Sequence, residues 1–569
     1  MNAKYYAIYL LAVAFWASAG RADEEPSSSA EVMQTTLLGC ETDYSPSTSG
    51  FEFLDHDGEV QLPADTSIGQ ITYRKLPIFD ESDPAENNAV YRWVNRFHVL
   101  TKDRTLEQQL LFKAGDTYNS QVIEETARLL RQSKYLYDAA VRPVRLCGDD
   151  VDIEVITRDV WSLTPDISVN RSGGKTSFRF SVRDTNIFGS GKQLAVVSKS
   201  DVDRDTKQFL YKDGNIFGSR VVGRLNYMDS DDGTSFTARL FLPFFSLDSR
   251  RAWSVVAEGF ERDDTQYFRS DKVSEVRHES DLYQVFYGFS KGLQNGISRR
   301  WSLGYRYEQH LYSLADELPP PAPFPRDRKL SYSFLLYESI EDSYSKSYNL
   351  DQILRTEDLH TGRRITSRIG YSPTDDRRLV VDSYLTNTLT FDPKSLLQHR
   401  ARLIGFWNFD RSAAEELTLS YQLRYFRNQT ENRNFFAVLS AIYSKNLNTD
   451  RQIQLGGDVG LRGYPQRYAT GDRSYLLSLE QRFYSDVHLL NLIRVGWAVF
   501  FDAGKAWFPG GDNGAGNELL MNAGIGLRLF SSKAELGRVI HLDIAIPANQ
   551  RSDPEVDQVQ YLVTIKNSF

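Results

Sequence analysis

The chain is poor in cysteine and methionine, with 2 Cys and 4 Met among 569 residues. So few thiols exclude a disulfide-rich scaffold. Beyond the N-terminus no stretch of about 18 apolar residues occurs, which excludes a membrane protein built from several spanning helices. The mean hydropathy of -0.44 agrees. There is no basic tract, and 75 acidic against 67 basic residues leave a net charge of -8, so nucleic acid is not an expected partner. The 8 His are scattered without His-x-x-x-His spacing, and no Cys-x-x-Cys, Gly-x-Ser-x-Gly or phosphate-binding Gly-Lys-Ser loop occurs. Gly189-Ser190-Gly191-Lys192 superficially resembles the last of these, but it falls between two strand-like segments and reads as a turn. No catalytic set, metal site or cofactor is therefore expected. What the chain does hold is aromatic side chains: 33 Phe, 31 Tyr and 8 Trp.

Residues 1–19 place Lys4 ahead of a short apolar core ending in Ala17-Ser18-Ala19, the layout of a secretory signal peptide, with a second cut available after Ala22. Leu37-Leu38-Gly39-Cys40 imitates a lipoprotein cleavage box but lies well past that core. Residues 20–66 read as a flexible segment. In an exported chain Cys40 and Cys147 either pair as one disulfide or stay as free thiols, and the pair is the expectation carried forward.

Residues 67–158 read as a small α/β unit. Ile68–Ile78 is strand-like, and helical stretches follow near Asn87–Phe97, Thr105–Phe112 and Gln121–Gln132. Strands at Leu136–Arg142 and Val151–Thr157 close it. The order LLFKAGDTYN, EETARLLRQSKYLYDAAVRPV, VDIEVITRDVW resembles a POTRA domain, the periplasmic module of the BamA-like outer-membrane superfamily. One such unit is visible.

From 159 to 569 the period becomes two. In Leu417–Tyr425 the odd positions are Leu, Leu, Tyr, Leu and Tyr, and the even ones Thr, Ser, Gln and Arg. One face repeatedly mixes aliphatics with aromatics while the other carries charges such as Arg424, Glu480 and Asp502. That is the pattern of a transmembrane antiparallel β-barrel with lipid outside and water within. About 20 dyadic segments can be marked, whereas the superfamily resemblance implies 16 strands. Polar stretches near 263–277 and 313–327 read as external loops. Tyr561, Val563 and Ile565 alternate toward a final Phe569, resembling the terminal strand whose last aromatic serves as an insertion signal in outer-membrane barrels.

Gly456-Gly457-Asp458-Val459-Gly460-Leu461-Arg462-Gly463-Tyr464 resembles the Arg-Gly-aromatic tip of the loop that folds into the lumen in the BamA-like superfamily, here spanning about 447–472. The resemblance implies that Arg462 meets an acidic residue on the following strands. By parity Glu480 and Asp502 both point inward, and Phe500-Phe501-Asp502-Ala503-Gly504 fits the family's pattern. The set Leu461, Arg462, Gly463, Tyr464, Glu480 and Asp502 is expected to act either as a structural lock or as a moving part.

These readings imply a bacterial outer-membrane protein with its N-terminal domain in the periplasm. It would transport or insert polypeptide, with an unfolded or extended client, the lipid bilayer and accessory periplasmic proteins as partners. The client would add to a strand edge, first of all Leu136–Arg142. The alternative is a non-transporting barrel serving as a passive pore or structural surface protein.

Overall fold

A computed structural model describes residues 38–40, 62–63, 65–347, 350–351, 357–374, 376–509, 518–533 and 539–566. The expected signal peptide, most of the 20–66 segment and Phe569 lie outside the described residues.

The N-terminal unit is a four-stranded sheet in the order β1-β3-β4-β2, with β1 at Leu38–Gly39, β2 at Ser67–Leu76, β3 at Leu136–Cys147 and β4 at Asp150–Asp159. Helices α1 (Ala89–Phe97), α2 (Asp103–Glu107) and α3 (Ser120–Arg131) intervene. Ile123, Ala127 and Leu130 of α3 recur at helical spacing and pack on Leu136, Val151, Ile153 and Val155 in one apolar core. Asn119 starts α3, its side chain accepting the N–H groups of Gln121 and Val122. The stretch expected as a helix over 105–112 is helical only to Glu107, and Leu110 and Phe112 reach the core from a turn instead. Cys40 and Cys147 are bonded across 107 residues, holding β1 parallel to β3 at Arg145 and Leu146.

The remainder is one closed barrel of twenty strands, from Leu163–Ser172 to Gln560–Lys566. Twenty is the number the dyads give; the sixteen implied by the resemblance is too few. Tyr283, Val285, Tyr287 and Phe289 alternate outward along one strand, and Arg300, Glu308, Arg378 and Arg482 on other strands are buried. Period-two apolar residues face lipid, and ions face the interior. The 263–277 segment is no loop: pairing continues out to Phe268 opposite Asp271, leaving only Arg269 and Ser270 at the tip. It is polar on both faces because it extends past the apolar belt, and that polarity hides a strand from pattern reading. The stretch 315–327, by contrast, does connect two strands.

Closure is uneven. Gln560–Lys566 pairs along its whole length with Val539–Ala545, yet among the described residues it meets the first strand through one register pair, Val563 opposite Arg171.

Candidate functional site: the lumen loop and its wall

The segment between strands Arg433–Lys445 and Arg473–Leu489 folds into the barrel and carries a short hairpin, Ile453–Leu455 with Ala469–Gly471. Its tip needs glycine at particular points. Gly460 has φ 91°, a conformation L side chains rarely adopt, and a Cβ at Gly463 would lie 2.6 Å from the Cβ of Asn522. The loop thus approaches the wall closely enough for Arg462 to be enclosed.

Arg462 donates from Nε to Asp502 Oδ2 at 2.8 Å and from Nη2 to Asp502 Oδ1 at 2.7 Å. Nη1 donates to Glu480 Oε1 at 2.8 Å. The guanidinium also lies over the Phe500 ring, 3.4 Å from its centroid. A planar fork with charge on every donor fits this enclosure; an ammonium would leave one carboxylate unserved. Ser478 Oγ at 2.8 Å and Asn522 Nδ2 at 2.9 Å complete the shell of Asp502. Arg482 Nε holds the other Glu480 oxygen at 3.0 Å, and Arg528 binds Asp543, which lies 3.7 Å from Arg462. Three arginines thus face three carboxylates, all buried. Desolvation of so many ions is costly, and mutual pairing offsets it.

The expected residues therefore come together. Leu461 and Tyr464 are fully buried with Leu455, Tyr468, Ala506 and Leu520, and Tyr464 Oη donates to the Met521 carbonyl at 2.9 Å. Tyr561 faces outward while Leu562 is buried, so the terminal strand has the parity expected of it. Asp543, Asn522 and Ser478 were not singled out from sequence, although the parity of their strands places them inward.

The loop also reaches both sides of the thin seam: on the last-strand side Tyr468 Oη donates to Asp553 Oδ2 at 2.7 Å, in the stretch leading into Gln560–Lys566. Gln466 N–H donates to the Gly173 carbonyl on the first barrel hairpin at 3.4 Å, and Arg467 pairs with Asp203 farther round. At its base Tyr312 Oη donates to Asp450 at 3.1 Å. Asp264, His278 and Asp450 are the group spaced to hold a metal among the described residues, beside a cavity of about 850 Å³. His278 is already engaged by Asp264 at 2.6 Å and His310 at 3.0 Å, and Arg262 by Asp264 at 2.8 Å. In this arrangement the group ties the loop base to the wall.

A second insert enters from the opposite end. Between strands Arg328–Glu341 and Arg364–Ser372 lies a hairpin, Tyr344–Ser347 with Glu357–His360. Its Leu350 is buried against Phe426 and Phe436, and Arg424 holds Asp351 at 2.5 Å. Arg482 Nη1 donates to the Leu350 carbonyl at 3.0 Å. On the outer side Arg131 of α3 grips Asp358 through Nε and Nη2 at 2.7 and 2.6 Å. Sequence reading missed this hairpin. The available signal was the long segment 342–363 at the barrel end where connections are otherwise short.

The α/β unit is docked beneath the barrel. Lys533, in a barrel turn, pairs with Glu86 at 2.5 Å, and burial pushes its ammonium down to about 8. Glu125 of α3 accepts the Leu247 N–H at 2.7 Å; burial holds its carboxyl above the ordinary range despite that bond. Lys102 N–H and Thr105 Oγ1 both donate to the Gly189 carbonyl, at 3.0 and 2.9 Å.

No protein-family model matches the chain, and a search of curated proteins finds no match. Among solved structures, the chain is similar to CdiB from Escherichia coli at 12% identity, covering 88% of this chain and 76% of that one, with a TM-score of 0.44. CdiB from Acinetobacter baumannii matches at 12% identity over 88% and 74%, TM-score 0.42. BamA from Haemophilus ducreyi lacking POTRA domains 1–3 matches at 13% identity over 88% and 85%, TM-score 0.36.

Proposed function

We propose that the chain is an outer-membrane polypeptide translocator or insertase, with the α/β unit in the periplasm as a POTRA-like receiver and with no catalytic chemistry of its own. The observation that carries this reading is the seam, where Val563 opposite Arg171 is the one register pair between the first and last strands among the described residues. Elsewhere, unpaired N–H and C=O groups facing lipid would be too costly to expose. A seam held by little can open at small cost, and a client strand can satisfy the edges it exposes. The lumen loop grips both sides of that seam from within, so release of Arg462 and opening of the seam are mechanically related.

The receiving edge differs from the expected one. Leu136 and Ala139 on β3 are almost wholly buried, and Arg131 donates to the Ala139 carbonyl at 2.9 Å while holding Asp358 of the hairpin. The outer edge of β2 over Thr72–Leu76 has no strand neighbour among the described residues and is the more accessible edge.

The test pairs a lock with a trap. Arg171→Cys with Val563→Cys, oxidised in the native membrane, should abolish delivery of client and be reversed by reductant. Photo-crosslinkers at 72–76 and 561–565 should capture polypeptide. Steady conductance in the locked protein together with no polypeptide adduct at either place would return the passive-pore reading.

A further inference from the structure

Helix α1 divides into three faces when its residues are turned by about 100° each. Tyr91, Val94 and Asn95 form the packed face: Tyr91 stacks on Phe79 with ring centroids 4.1 Å apart, and Asn95 Oδ1 accepts the Phe79 N–H at 3.1 Å. Arg92 and Arg96 form a charged, exposed face. Between them, at i, i+3 and i+7, lie Val90, Trp93 and Phe97, exposed by 65%, 56% and 62%. An amphipathic helix ordinarily buries its apolar stripe. Here the helix is held by a different face and presents the stripe outward.

Its position explains what would cover that stripe. Tyr91 Oη donates to the carbonyl of Leu490, in the turn between strands Arg473–Leu489 and Ile493–Trp507. Leu489 and Leu490 there are themselves exposed, and Trp497 continues the outward apolar surface up the wall. From α1 the chain runs through exposed Val99 to Lys102, which bonds Gly189 in the turn after the second barrel strand. The segment therefore passes beneath the barrel rim from one side of the thin seam to the other.

Two further apolar tips lie beyond. The turns Asn186-Ile187-Phe188-Gly189-Ser190 and Asn215-Ile216-Phe217-Gly218-Ser219 repeat one design: Ser Oγ donates back to the Ile carbonyl at 2.6 and 2.7 Å. In both the Phe has positive φ, 50° and 54°, and points out with 74% and 102% exposure. A bulky aromatic in a backbone conformation suited to glycine, twice, and aimed away from the protein, gains nothing from intramolecular packing.

We propose that Val90, Trp93 and Phe97 of α1, with Phe188 and Phe217, dip into the periplasmic leaflet of the outer membrane, so that the α/β unit is a lipid-bound strap across the seam. The occupant is phospholipid because the stripe is continuous with the barrel's outward apolar belt. Aromatics at that level suit the boundary between headgroup and acyl chain, and Arg92 and Arg96 on the adjoining face keep that side of the helix in water. The inference assumes that the barrel spans a bilayer; it does not depend on the client.

Nitroxide labels on Trp93→Cys, Phe97→Cys and Phe217→Cys, with the native disulfide intact, test it in vesicles of phosphatidylethanolamine and phosphatidylglycerol. Accessibility to oxygen against a water-soluble nickel chelate reports depth, with Arg96→Cys as the aqueous reference and Val285→Cys as the lipid one. Labels at 93, 97 and 217 should favour oxygen several-fold over the label at 96. Nickel accessibility equal to that at 96 overturns the proposal, as does shielding from both reagents, which would mean a protein partner. Failure of the 285 label to report lipid would overturn the membrane placement itself, a separate result.

Discussion

Arg482 and Leu350 join the two ends of the barrel: the guanidinium that holds Glu480 at 3.0 Å also donates to the Leu350 carbonyl of the second inserted hairpin at 3.0 Å. Glu480 in turn holds Arg462 of the lumen loop. A contiguous run of bonds thus leads from Arg131 on α3, through the hairpin, to the loop tip.

Arg462→Ala should leave Asp502 and Glu480 buried with one cation fewer. Breaking such a pair from one side costs about 3–5 kcal/mol. The expected result is a folded barrel that loses its heat resistance on seminative gels at lower temperature and shows larger, noisier single-channel conductance. Arg462→Lys should fall between, since it restores charge without the fork. Unchanged heat resistance in both variants would remove the lock.

Arg131→Ala and Asp358→Ala should each expose the hairpin strands Tyr344–Ser347 and Glu357–His360 to protease. Both side chains are largely buried, so a double-mutant cycle should give a coupling of about 1–3 kcal/mol, above the range of exposed pairs. Additive effects would mean that the hairpin is not held by this pair.

Docking of the α/β unit should tighten with pH. Lys533 has an ordinary value of 10.5, lowered to about 8 when buried by desolvation and by the nearby Arg158, with Glu86 opposing. A depressed folded value favours the deprotonated form, so its contribution is full above 10.5 and is lost as pH falls through 8. Protection factors at the docking contacts, which remove the intrinsic base-catalysed acceleration of exchange, should rise between pH 8 and 10.5 in the native chain, and Lys533→Met should flatten that dependence. A variant with an unchanged slope would assign the effect to another group.

Opening the Cys40–Cys147 bond with Cys40→Ala/Cys147→Ala should destabilise the α/β unit by about 2–5 kcal/mol while the barrel's melting is unaffected. The long closed loop of 107 residues is what makes the constraint large. Separate unfolding transitions followed by hydrogen exchange check it.

Much of this was legible in the sequence wherever a strict period meets a buried boundary. Parity alone placed Glu480 and Asp502 inward; the flanking glycines marked a loop able to approach the wall, and the resemblance to the superfamily's lumen loop marked Arg462 as the residue that meets it. Counting dyads gave twenty strands because each span must alternate to face lipid and water. Legibility fails where the boundary disappears. Asp263 and Asp264 lie on a strand that has left the membrane, so neither face needs apolar residues. The strands Tyr344–Ser347 and Glu357–His360 are too short and polar to show any period. The edge of β3 looked free because its cover, Asp358, comes from more than 200 residues away.

Four strands more than sixteen have a geometric consequence. Barrel diameter grows roughly linearly with strand number, so the circumference rises by about a quarter and the cross-section by about half. A single inward-folded loop suited to the narrower bore would leave that added area as an open leak. The hairpin bearing Leu350 enters the interior from the other end, where Leu350 packs on Phe426 and Phe436, and so occupies part of that added area.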